Sequence, residues 1–220
     1  MNQNTQLAVI FDMDGVLIDS TKYIWESFNQ MVQPFGVHFD VAAIKKYLGT
    51  SLRDAIALWK EDYGIDVGEP SEFSPKSHSI AMKLMEENAA PNPGVLQLLQ
   101  DLRKNEVPLG IGTSSYAWRA EELLSMVGIR DYFDVLVTAD DVSEHKPNPH
   151  VFLEAARQLG VAPAHCVVIE DAASGIQAAQ NASMKSIGYL TEWNDANELR
   201  AADRTIRSFD ELSYDVLARI

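Results

Sequence analysis

Short apolar runs alternate with longer amphipathic stretches through the second half of this chain, and that alternation restricts the fold more than any other feature. The runs are PLGIGT (Pro108–Thr113), VLVTA (Val135–Ala139), CVVIE (Cys166–Glu170) and KSIGYL (Lys185–Leu190). A fifth, LAVIF (Leu7–Phe11), stands near the N-terminus. The stretches GVLQLLQDLRKN, SYAWRAEELLSMVG, PHVFLEAARQLG and SGIQAAQNA carry apolar residues at i, i+3 and i+4, the helical period. Gly128 and Gly160 stop two of them, as glycine does at helix C-termini. Strands apolar on both faces, alternating with helices, predict an α/β fold: a doubly wound parallel sheet covered by helices on each side.

Residues 20–90 break that rhythm. TKYIWESFNQMVQPFG, VAAIKKYLG, SLRDAIALWKEDYG and SHSIAMKLMEEN read as successive helices with no strand among them. APNPG (Ala90–Gly94) reads as a linker back to the sheet. The expected organisation is a core of residues 1–19 and 91–220, with a helical-bundle domain of residues 20–90 inserted after the first strand. Hinges are expected at Ile18–Ser20 and Pro91–Gly94.

Charge narrows the partners. The 220 residues hold 18 Lys and Arg against 32 Asp and Glu, a formal net charge of -14, which repels nucleic acid and anionic membrane surfaces. An anionic substrate therefore needs a local positive site. The single Cys166 excludes an internal disulfide and, within an apolar run, reads as a small core residue. No apolar segment approaches the roughly 20 residues of a membrane span. MNQNTQLAVIF lacks the basic start of a signal peptide, so a cytoplasmic location is expected. Whether the chain is a monomer or a weak dimer is not legible. Trp25, Trp59, Trp118 and Trp193 read as core residues.

In a doubly wound sheet the active site is built by loops at the carboxyl ends of the strands. The first strand runs into Asp12 and Asp14, two acids one residue apart, and then Gly15. The second is followed by Thr113, Ser114 and Ser115, read as opening a helix where amide groups and the dipole favour an anion. The third leads through ADDVSEHKPNP to Lys146, and the fourth ends at Glu170 and Asp171. Acids, hydroxyls and one lysine on four loops suit phosphoryl transfer. Hard oxygen ligands on several loops suit Mg²⁺, which would also offset the repulsion between Asp12 and Asp14.

With these residues assembled, the chain resembles the haloacid dehalogenase superfamily of phosphohydrolases over essentially its whole length. FDMDGVLIDS, GIGTSS, HKPNPHVF and VVIEDAASGIQAA resemble that family's four motifs in order. The helical insert resembles the small cap of the β-phosphoglucomutase-like branch, beside a Rossmann-like core. The resemblance implies that Asp12 is a nucleophile forming an aspartyl-phosphate, and that Asp14 protonates the leaving oxygen and then activates water. It implies that Thr113 and neighbouring amides hold the phosphoryl oxygens and that Lys146 neutralises charge. Asp171, assisted by Glu170, completes a Mg²⁺ site with Asp12 and the Asp14 carbonyl. To act as an acid Asp14 must hold a proton near neutral pH, and a raised pKa is expected from its carboxylate neighbour and from desolvation when the cap closes.

Within that family the expected activity is hydrolysis of a small phosphorylated metabolite, of sugar phosphate or nucleoside monophosphate type. The Asp at position 14 argues against dehalogenation, and YLGTSLRDAI carries no lysine for phosphonate cleavage. A β-phosphoglucomutase-type mutase is the main alternative. Its cap histidine is matched here by Ile24, and its cap arginine falls at Leu52, one residue before Arg53. Ile24, Phe28, Gly49, Thr50 and Arg53 are the cap candidates for substrate contact, with core packing the competing reading for Ile24 and Phe28. The GIG run at Gly110–Gly112 lacks the third glycine of a dinucleotide site. A phospho-receiver switch, a remoter alternative, needs neither a helical insert nor a leaving-group acid.

Overall fold

The computed structural model describes residues 7–48 and 50–220. The chain divides into two compact units, Met1–Asp19 with Ala90–Ile220, and Ser20–Ala89.

In the larger unit six strands form one sheet in the order β3-β2-β1-β4-β5-β6. They are β1 (Ala8–Phe11), β2 (Leu109–Gly112), β3 (Val135–Val137), β4 (Cys166–Glu170), β5 (Lys185–Tyr189) and β6 (Arg204–Ile206). Every pairing is parallel. β1 and β4 are buried along their whole length, which accounts for their unbroken apolar runs. Five helices accompany the strands: α5 (Val95–Lys104), α6 (Ala117–Met126), α7 (His150–Leu159), α8 (Ala173–Asn181) and α9 (Tyr214–Leu217). Phe152, Ala155 and Ala156 of α7 and Ala178 and Ala179 of α8 share one buried cluster with Ile10, Val137 and Val168. Cys166 belongs to that cluster, and burial pushes its thiol up to about 11, so it is a core residue and no nucleophile.

Strand order reverses beside β1: the chain adds β2 and β3 on one side and then β4, β5 and β6 on the other. The carboxyl ends of β1 and β4 flank this switch point, where α/β sheets bind ligands. The sixth strand is an addition to the sequence expectation. Its RTI segment holds one buried residue, Ile206, too little apolar signal to stand out. Trp118 also departs from expectation, since it is 57% exposed.

The smaller unit is helical, with α1 (Ser20–Val32), α2 (Val41–Tyr47), α3 (Leu52–Tyr63) and α4 (Pro70–Asn88). Asp40 and Ser51 cap α2 and α3 by accepting from Ala43 N and Asp54 N. α4 starts well before SHSIAMKLMEEN. Pro70 occupies its first turn, and the helix continues through Pro75, which in sequence reads as a breaker. Trp59, fully buried, is ringed by Trp25, Phe28, Phe39, Tyr47 and Phe73, with ring centroids 4.9–6.3 Å away. Among the described residues no helix is long and apolar enough to cross a membrane.

Candidate active site

Asp12 leaves the end of β1 with its amide bonded to Ile169 O of β4 at 2.9 Å, so the chain turns off the sheet at the switch point. Only 7% of the residue is exposed. Lys146, from the loop before α7, places Nζ 2.5 Å from Asp12 Oδ1 and 2.8 Å from Glu170 Oε1. The same ammonium lies 4.8 Å from the centre of the Phe152 ring. Burial pushes the Asp12 carboxyl up to about 7; Lys146 opposes that rise, while Glu170 and Asp14 add to it. Burial alone would push the Lys146 ammonium down, but Asp12 and Glu170 outweigh it and hold the group above its ordinary range. This lysine is a permanent cation beside the first acid of the DxD pair.

Two glycines make the close packing of this site possible. A Cβ on Gly15 would fall 2.0 Å from Asp171 Oδ2, and the residue has φ +83°, a conformation few other residues adopt. Asp171 therefore lies against the backbone directly after Asp14. A Cβ on Gly175, in α8, would fall 1.8 Å from Glu170 Oε1. Glu170 also accepts from Ala172 N through Oε2, so both its oxygens are engaged.

The second loop differs in detail from the sequence reading. Thr113 is buried, its amide bonded to Val137 O and its Oγ1 accepting from Ser115 N. Ser114 is exposed. These three residues precede the helix rather than opening it. α6 starts at Ala117, whose amide donates to Asp140 Oδ2. A nearby carboxylate thus takes an amide at the helix start that would otherwise suit an anion.

Ser115 is joined to the second acid. Its Oγ donates to Asp14 Oδ2 at 2.7 Å. Arg119 of α6 grips the same carboxylate with both terminal nitrogens, Nη1 to Oδ2 at 2.7 Å and Nη2 to Oδ1 at 2.8 Å. Burial would lower the Arg119 pKa, but Asp14, with help from Asp12, raises it. The fork and Ser115 together engage both oxygens of the Asp14 carboxylate. Arg119 lies outside the four motifs. Its only sequence signal is a positive charge in the first turn of a helix, where the dipole disfavours it.

Asn194, in the loop after β5, is a further supporting residue outside the motifs. Its side-chain amide donates to Asp171 O at 2.7 Å and Tyr189 O at 3.0 Å, holding the Asp171 backbone to the end of the sheet.

The charges bear on a metal ion. Asp14 faces Arg119 and Glu170 faces Lys146, while no salt bridge reaches Asp171 among the described residues. Burial, then Glu170 and Asp12, push the Asp171 carboxyl well above its usual range. Asp12 thus shares Lys146 with Glu170, and Asp171 has no cation of its own among the described residues. Among the described residues no three Asp, Glu, His or Cys side chains converge as a metal cage. Of the residues expected around the metal, Asp12 and Glu170 both meet Lys146, and the Asp14 carboxylate meets Arg119. The donors to weigh are the carboxylates of Asp12 and Asp171, with the Asp14 main-chain carbonyl that the family resemblance implies. That donor set fits Mg²⁺, which usually keeps several waters and takes one or two carboxylates.

The candidates in the helical unit separate by exposure. Phe28, half-buried, packs its ring on Trp25, Trp59 and Phe73. Ile24 is half-buried on α1. Thr50, bonded to Tyr47 O through Oγ1, and Arg53 are exposed. Gly49 lies outside the described residues.

The model of the haloacid dehalogenase-like hydrolase family matches residues 9–189, from β1 to the end of β5. The chain belongs to that family. Its structure matches a HAD family hydrolase from Deinococcus radiodurans with bound phosphate and sodium at a TM-score of 0.86, with 27% identity over 98% of this chain and 96% of that one. A phosphorylated carbohydrates phosphatase of Thermotoga maritima is 30% identical, covering 89% of this chain and 90% of its own length. A β-phosphoglucomutase of Bacillus subtilis is 28% identical, covering 96% and 93%. The HAD chain described here is a phosphoric monoester hydrolase of the β-phosphoglucomutase-like branch.

Proposed function

We propose that this HAD hydrolase is a Mg²⁺-dependent phosphatase of small phosphorylated sugars, acting through an aspartyl-phosphate on Asp12. The observation that carries the reading is the buried triad of Asp12, Lys146 and Glu170 beside Asp171 at the switch point. Asp12 is the nucleophile. Lys146 neutralises charge on Asp12 and on the incoming phosphate, and Thr113 with Ser114 and Ser115 holds phosphoryl oxygens. Asp14 serves the leaving oxygen and then water. Asp12, Asp171 and the Asp14 carbonyl would hold Mg²⁺, which supplies electrostatic stabilisation to the transferring phosphoryl group. Thr50 and Arg53, exposed in the helical unit, are the proposed determinants of substrate choice. The net charge of -14 supports an enzyme without nucleic-acid or anionic-membrane partners, and a cytoplasmic location is the proposed one.

The sugar class rests on the Thermotoga relative, and the Bacillus relative keeps a mutase as second reading. Ile24, where the mutase resemblance has a histidine, favours hydrolysis. The deciding experiment measures phosphate release over a panel of hexose, hexitol and nucleoside monophosphates with Mg²⁺. Parallel samples carry a chelator or the Asp12→Asn substitution. β-Glucose 1-phosphate with its bisphosphate is included and glucose 6-phosphate formation followed. Multiple turnover that disappears in both controls supports the phosphatase. Isomerisation without release supports the mutase, and no turnover of either kind sinks both.

A further inference from the structure

Arg119, Ser115 and Asp14 form a closed set. Arg119 Nη1 donates to Asp14 Oδ2 and, at 2.5 Å, to Ser115 Oγ, which itself donates to Asp14 Oδ2. Nη2 completes the fork on Oδ1. Asp14 and Arg119 are 105 residues apart in sequence, so local geometry does not force the contact. The Arg119 side chain is 16% exposed, although it sits in the first turn of α6, where a surface arginine would ordinarily reach into solvent. A cation there works against the helix dipole, and placing it costs stability unless a carboxylate answers it. Both terminal nitrogens are committed to Asp14, so binding a phosphate through them would mean abandoning that carboxylate.

We propose that Arg119, with Ser115, is the positioning residue of Asp14. The planar fork fixes both carboxylate oxygens and so sets the direction from which Asp14 meets the reacting atoms. The inference rests on the phosphatase reading. In the first half-reaction an Asp12 oxygen bonds to phosphorus, the bond from phosphorus to the leaving oxygen breaks, and that oxygen takes a proton from Asp14. Asp14 enters the step protonated on the oxygen facing the substrate, while its other oxygen stays on Arg119. In the second, a water oxygen bonds to phosphorus and gives its proton to Asp14, while the bond from phosphorus to Asp12 breaks. Both halves need one carboxylate held at one angle, and a misplacement of about an ångström can cost on the order of 100-fold. Lysine at 119 would keep the charge and lose the fork.

The test uses leaving-group dependence in rapid-mixing experiments, comparing the best hexose phosphate of the panel with p-nitrophenyl phosphate. The hexose alkoxide needs a proton as it leaves; p-nitrophenolate, a weak base, hardly does. Arg119→Met is expected to slow hexose release roughly 10–100-fold with KM changed less than about twofold, a part of the roughly 10²–10⁴-fold that a general acid supplies. The p-nitrophenolate burst is expected to slow no more than ~3-fold, and Arg119→Lys to lie between parent and Arg119→Met on the hexose substrate. Added to Asp14→Asn, Arg119→Met is expected to cost nothing further. Equal losses on both substrates, a large rise in KM, or full additivity with Asp14→Asn would overturn the positioning role in favour of phosphate binding or scaffolding. Turnover by the parent with an indistinguishable Arg119→Met variant removes this inference alone. No turnover by the parent removes the phosphatase reading and the inference together.

Discussion

Lys146 Nζ lies 2.5 Å from Asp12 Oδ1 although 134 residues separate them in the chain. With Glu170 at 2.8 Å, the ammonium bridges the ends of β1 and β4 across the switch point. The lysine and glutamate side chains are 6% and 1% exposed, so the bridge is shielded from water. Removing the cation leaves two buried anions facing each other, a state costing several kcal/mol. Lys146→Ala is therefore expected to abolish turnover and destabilise the fold by about 3–5 kcal/mol. Chemical denaturation at pH 7 and pH 5 checks this. The penalty should shrink at the lower pH, because Asp12 then takes up a proton.

Asp12→Asn carries a pH signature. In the folded chain the Asp12 carboxyl is pushed up to about 7 from 3.8. Between those values the folded state binds a proton that the unfolded state does not, so raising the pH through this window removes stability. Asn has no such titration. Without metal, the stability of Asp12→Asn relative to the parent should grow from pH 4 to pH 7, on the order of 1–3 kcal/mol. Paired denaturation curves at three pH values decide it; a constant difference would mean that Asp12 is ionised throughout. Added Mg²⁺ should favour the parent.

At Gly15 a methyl group would meet Asp171 and force a left-handed backbone on alanine. Gly15→Ala is expected to cost roughly 1–3 kcal/mol and to raise the Mg²⁺ concentration needed for half-maximal turnover. A metal titration beside a melting curve separates the two effects. Unchanged metal demand would show that Asp171 does not bind the ion.

In the helical unit, Trp59 Nε1 is the one buried side-chain nitrogen or oxygen without a hydrogen-bond partner among the described residues. Such an orphan donor costs about 1–3 kcal/mol. Trp59→Phe removes it at the expense of a smaller ring and is expected to stay within ~1.5 kcal/mol of the parent. Trp59→Ala is expected to cost about 3–5 kcal/mol. Thermal melts of the two variants compare them, and a large loss in Trp59→Phe would imply that a water satisfies the indole.

The sequence by itself determined the parts whose signals are local. Buried parallel strands need continuous apolar runs, so β1, β2, β3, β4 and β5 were visible within one or two residues at each end, and the helical insert showed itself by its lack of strands. Asp12, Asp14, Thr113, Lys146, Glu170 and Asp171 could be nominated from sequence because sheet topology gathers strand ends, and Asp12, Lys146 and Glu170 do meet there. Tertiary structure alone decided the pairings. A three-residue edge strand such as β6 is held by its neighbour, and Pro75 lies within a helix against its own preference. That Glu170 serves Lys146, that Asp140 takes the first amide of α6, and that Arg119 grips Asp14 depend on contacts between distant loops. Such contacts are fixed by packing to within an ångström, and nothing in the spacing of residues along a chain encodes a distance of that kind.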